Sequence, residues 1–136
     1  MKEELTRLSE TYRKAGDAIY EAVKAGIVRA GGFVNCSNNK GEKTDIRALV
    51  FNSKKGYTET FPLRAIRLSP EGAVEVYVGT FGTIYTDRYL RGRGGEEHWM
   101  PLRNSGILFY QTILSIAAGI DQYLPEAVSA DGQDVT

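Results

Sequence analysis

Across the first 26 residues, apolar and small side chains return at alternating steps of three and four: Leu5, Leu8, Tyr12, Ala15, Ile19, Ala22 and Gly26. That spacing puts them on one stripe of an α-helix, an arrangement no strand period reproduces. A helix is predicted from about Lys2 to Ala25. Glu3 and Glu4 suit the positive end of its dipole and Lys24 the negative end, while Gly26 suits the left-handed conformation that closes many helices. The stripe needs a cover. Packing within the chain is the simpler expectation and a coiled-coil partner the alternative, because the pattern lasts only about three heptads.

After Gly26 the period changes, and residues 27–102 read as β-structure. Strands are expected over Ile27–Cys36, bent at Gly31-Gly32, over Asp45–Phe51, and over Tyr57–Leu68, where Pro62 marks an edge, a bulge or a break. Ser37–Gly41 reads as a loop. The best hairpin joins Leu63–Leu68 to Ala73–Gly79 through Ser69-Pro70-Glu71-Gly72, whose Pro and Gly suit a type I turn. Val74, Val76 and Val78 then face one side, Glu75 and Tyr77 the other. A strand over Thr83–Leu90, a loop over Arg91–Glu97 and a short strand over His98–Leu102 complete the expected sheet.

A closing helix is predicted from Ser105 or Gly106 to Leu124, capped by Asn104 or Ser105 and stopped by Pro125. Gln111, Thr112, Ser115, Gly119 and Gln122 share one sector of roughly 100° and leave most of the circumference apolar. Ile113, Leu114, Ile116, Ala117, Ile120 and Leu124 are expected to cover the sheet. A second side is left for the first helix or another subunit, which makes Tyr110, Ile113, Ala117, Ile120 and Leu124 the candidate oligomer interface. Ile107–Ile120 is shorter than the roughly 20 apolar residues of a bilayer span, so no membrane partner is expected.

These elements define an α+β fold: an N-terminal helix, a bent antiparallel sheet of four to six strands, with a small open barrel as one way to curl it, and a C-terminal helix packed on the sheet. Residues 1–124 form the single domain, and 125–136, small, polar and acidic, a disordered tail. The first residues mix charges and carry no apolar core of a leader, so a cytoplasmic location is expected.

Charge excludes more than it proposes. The chain of 136 residues balances 17 Lys plus Arg against 17 Asp plus Glu. Neutrality gives no general attraction for polyanions, yet the balance sums two unlike parts: every base lies in residues 1–103, and 104–136 hold only acids. Arg64, Arg67, Arg88, Arg91, Arg93 and Arg103 fall in one span with no lysine, and Tyr77, Tyr85 and Tyr89 are interleaved. Arginine beside exposed aromatics is what grips phosphate and stacks on bases, so Arg88, Arg91, Arg93, Tyr85 and Tyr89, with the Arg91-Gly-Arg-Gly-Gly95 loop, are the candidate nucleic-acid residues. The five acids in the same span reduce its net charge to +1 and favour a salt-bridged surface.

Catalytic chemistry is sparse. Gly41-Glu42-Lys43-Thr44 lacks the glycine pattern of a phosphate loop. Cys36 and His98 are each the only residue of their type, so a small Cys/His hydrolase has just this pair to draw on, and Cys36 has no helix N-terminus after it to lower its pKa. Glu96-Glu97-His98 carries metal-capable groups, but adjacent strand residues point apart. No metal and no cofactor are expected. The reading is a non-catalytic interaction or regulatory module that self-associates or binds another protein, with a nucleic-acid-binding module second and the hydrolase third.

Overall fold

The computed structural model describes residues 1–37, 46–80, 83–92 and 98–124. The expected tail at 125–136, residues 93–97 with Arg93, Glu96 and Glu97, and residues 38–45 after Ser37 lie outside the described residues. Within them the order is α1 (Lys2–Arg29), β1 (Phe33–Asn35), β2 (Arg47–Asn52), β3 (Tyr57–Leu68), β4 (Val74–Val78), α2 (Asp87–Arg91), β5 (Trp99–Pro101) and α3 (Phe109–Gly119), which tightens into a 3₁₀ turn at Ile120–Gln122. The α+β expectation holds, with the sheet curled into a half-barrel.

α1 passes through Gly26 and stops a turn later. The Gly32 amide donates to the Ile27 carbonyl and the Gly31 amide to that of Val28, the paired bonds of a Schellman closure, and both glycines have positive φ. Gly31-Gly32 is therefore a helix end and not a bend in a strand, and β1 is three residues long. Gly26 instead permits close packing: a Cβ there would lie 3.1 Å from Leu124 Cδ1.

β3 organises the sheet. Its C-terminal half pairs with β4 on one edge and β1 on the other, and its N-terminal half pairs with β2. Cys36 and Ile46 hydrogen-bond to the consecutive residues Arg64 and Leu63, so β1 and β2 follow one another along the same edge of β3. Pro62 does not break the strand; the register shifts just after it, between Leu63 and Ala65, and the partners change there, which bends the sheet. The β3–β4 hairpin forms as expected, with the Gly72 amide on the Ser69 carbonyl at 2.9 Å. Val74 and Val76 enter the main core, whereas Tyr77 faces a second, outer cluster.

α3 seals the free edge of β2, and with its polar sector rather than its apolar one. The Arg47 and Leu49 amides donate to the Ser115 and Thr112 hydroxyls at 2.9 and 3.1 Å. Thr112 is fully buried, while Leu114 and Ala117 are exposed. An edge amide enclosed by packing needs an acceptor more than a helix needs its leucine covered. The same edge delays the start of the helix. Ile107 bridges Val50, and the Leu108 amide bonds to the Leu49 carbonyl, so 106–108 extend the sheet and the helix begins at Phe109 with no side-chain cap. Ile113, Ile116 and Ile120 fill the half-barrel beside Tyr20, Val23 and Ile27 of α1.

Candidate interaction surfaces

α1 meets the rest of the chain only along its C-terminal half. Its buried residues are Gly16, Tyr20, Val23, Gly26 and Ile27, and every residue from Lys2 to Ala15 is exposed. At 1.5 Å per residue this is an overhang of about 21 Å. Leu5, Leu8 and Tyr12 are 60, 52 and 68% exposed. The expectation that the whole stripe packs within the chain is thus corrected for this half: the body ends where the Tyr110 ring approaches Gly16, so closely that a Cβ there would lie 2.5 Å from it. From that point the stripe runs into an apolar groove of about 270 Å³ lined by Tyr12, Ala15, Gly16, Ile19, Tyr110, Ile113 and Leu114. Arg103 holds α1 to the start of α3. Its guanidinium pairs with Asp17 at 2.6 Å and lies 4.6 Å over the Tyr20 ring and 4.0 Å over that of Phe109.

Of the five residues proposed from sequence for an oligomer interface, Ile113 and Ile120 belong to the main core and Leu124 packs against it. Tyr110 and Ala117 remain exposed. Leu114, which adjoins Tyr110 in the groove, was assigned to the sheet by the helical wheel because the demand of β2 for hydroxyl acceptors is invisible from α3 alone.

The outer face of the sheet carries a separate aromatic layer. The expected strand over Thr83–Leu90 is instead an extended stretch followed by α2, because the Thr86 side chain accepts from the Tyr89 amide as an N-cap and Asp87 sits in the first turn. This returns Tyr85 and Tyr89 onto Tyr77, at 5.4 and 6.3 Å between ring centroids, with Trp99 at 5.6 Å and His98 at 5.9 Å. Tyr77, Tyr85, Tyr89 and His98 border an open cleft of about 570 Å³. Hydroxyls line it in two groups, Tyr77 with Tyr89, and Tyr85 with Thr80 and Thr83. Burial and the Tyr89 contact push the Tyr77 phenol well above its ordinary pKa.

Three arginines of this region lie over the protein's own rings. Arg64 is fully buried, donates to the Thr80 carbonyl and lies 5.3 Å over Tyr85; burial lowers its pKa. Arg67 bonds Glu75 at 2.8 Å and covers Trp99 at 4.3 Å, and Arg91 covers Phe33 at 3.9 Å. Of the predicted nucleic-acid residues, Tyr85 is buried, Arg91 is laid on a ring, Arg88 and Tyr89 are exposed on α2, and Arg93 is outside the described residues.

Cys36 and His98 are kept apart. Cys36 is fully buried in the core between sheet and helices, and burial pushes its thiol up to about 12. His98 lies exposed against Tyr77 in the outer layer. A thiol with that pKa holds almost no thiolate at neutral pH, and its one possible imidazole base is on the other face. Among the described residues no helix is long and apolar enough to cross a membrane. No protein-family model, curated protein or solved structure matches the chain.

Proposed function

We propose that this protein is a non-catalytic interaction module that associates with itself, and that the exposed half of α1 is the docking element. The carrying observation is the apolar stripe Leu5, Leu8 and Tyr12 on a helix that extends about 21 Å past its own body and leads into the groove beside Tyr110 and Leu114. An isolated segment of this length is marginal as a helix in water, and most helical stability comes from packing an apolar face. A second copy is the favoured occupant because the exposed stripe of Leu5, Leu8 and Tyr12 can be covered by the same stripe of another chain, the isologous contact usual in small homodimers. The test is the mass in solution by sedimentation equilibrium. The full chain should dimerise with rising concentration, and Leu8→Glu should abolish this without changing the circular dichroism of the body. A monomer at all concentrations would sink the reading.

Nucleic-acid binding is the second reading, favoured by Arg88 and Tyr89 exposed together on α2. Arg64, Arg67 and Arg91 already lie on the protein's own rings, which leaves few cations for phosphate. Binding to single-stranded RNA that falls steeply with salt and is lost in Arg88→Ala would favour this reading over the first.

A further inference from the structure

We propose that the cleft on the outer face of the sheet binds a small, flat, neutral heteroaromatic molecule bearing hydrogen-bond acceptors, a site separate from α1 and independent of self-association. The cleft measures about 570 Å³, within the roughly 300–1,000 Å³ of pockets that take small organic ligands. Tyr77, Tyr85, Tyr89 and His98 line it together with Phe61 and Ile84. Tyr89 and Ile84 are 44 and 50% exposed, apolar surface that a bound ligand would take out of water.

The rings and the missing charges select the body of the ligand. Tyr85, Tyr89 and His98 meet the Tyr77 ring at 61°, 81° and 72°, with centroids 5.4, 6.3 and 5.9 Å from it. An aromatic ligand gains the same edge-to-face and offset contacts that these rings make with one another. Among the described residues lining the cleft none is Lys, Arg, Asp or Glu, so a charged ligand would lose its water without gaining such a partner. A cation is further disfavoured because Arg64 already lies 5.3 Å over the Tyr85 ring.

The hydroxyls select its polar groups. Each hydroxyl brings one hydrogen, and each bond between two hydroxyls uses one. The Tyr77 hydroxyl donates to that of Tyr89 at 3.3 Å, so the Tyr89 hydrogen is not used within the pair. Thr80, Thr83 and Tyr85 share two bonds, at 2.9 and 3.2 Å, and the Thr80 amide's own bond to the Tyr85 hydroxyl uses no hydroxyl hydrogen. One hydrogen is therefore left over in each group. Two uncommitted donors in an aromatic cleft suit carbonyl or ring-nitrogen acceptors on the edge of a flat ring.

NMR titration of the full chain tests the site. Caffeine and dimethyluracil are flat and neutral and carry acceptors but no donor. At millimolar concentration either should shift the amide resonances of Thr80, Thr83 and Tyr89, whereas glucose and tetramethylammonium should not. Tyr89→Phe removes the uncommitted donor and should weaken binding about fivefold; Tyr77→Phe leaves the Tyr89 hydrogen in place and should not. Unchanged Trp99 emission verifies that the aromatic layer is intact in each variant. A short oligouridylate that binds more tightly than dimethyluracil supports the site with a base in a strand as its occupant, and equal binding supports it with a free molecule. No shift with either flat probe, tighter binding of glucose or tetramethylammonium, full affinity in Tyr89→Phe, or as large a loss in Tyr77→Phe overturns the proposal.

Discussion

The Leu49 amide donates to the buried Thr112 hydroxyl at 3.1 Å, joining the free edge of β2 to α3. Thr112→Val keeps the shape and removes the acceptor, leaving an enclosed N–H without its bond. The expected loss is about 1–3 kcal/mol in urea unfolding with an unchanged m value, and Thr112→Ser should recover most of it.

Cys36 should make stability depend on alkaline pH. Its ordinary pKa of 9.0 rises to about 12 in the folded chain, so between those values the unfolded state releases a proton that the folded state keeps. Stability is then fully present below about pH 9 and falls by up to about 1.4 kcal/mol per pH unit toward pH 12. Tyr77, also raised, adds to the slope at higher pH. Chemical unfolding of Cys36→Ala alongside the natural chain isolates the thiol, since the variant should lose that part of the slope. A thiol reagent near pH 8 should modify Cys36 only as the chain unfolds.

Gly79 is required by close packing and not by its backbone angles. A Cβ there would lie 2.5 Å from Arg64 Cγ and 2.8 Å from the Tyr85 ring. Arg64 is fully buried and cannot move aside cheaply, so Gly79→Ala should cost about 1–3 kcal/mol and displace Tyr85, visible as shifted aromatic resonances in NMR spectra.

Trp99 reports on the outer layer. It is the only tryptophan, and its indole N–H donates to the Leu90 carbonyl at 3.2 Å. Leu90 is the fully buried residue of α2. Leu90→Ala should red-shift Trp99 emission as α2 loosens and lower stability by about 2–5 kcal/mol; unchanged emission would contradict the packing described.

Legibility in the sequence followed the range of the interactions. The β3–β4 hairpin was readable because Ser69-Pro70-Glu71-Gly72 closes it locally and the valines alternate beside it. The Thr86 cap and Asp87 signalled α2, but the tyrosines and Ile84 around them gave a stronger strand pattern. The start of α3 and the orientation of its faces were not readable, because both are set by backbone groups of β2 more than fifty residues earlier. The arginines and tyrosines were identified as a group, but the sequence does not say that Arg64, Arg67 and Arg91 lie on the protein's own rings.

By itself the sequence determined the α1 period, the change to β-structure, the hairpin and the α+β class, all carried by patterns that repeat within a few residues. Only the tertiary structure decided that the body begins at Gly16 and leaves Leu5, Leu8 and Tyr12 uncovered. The physical reason is that α1 is longer than the half-barrel it packs on, and the length of one element relative to another is a property of the assembled fold.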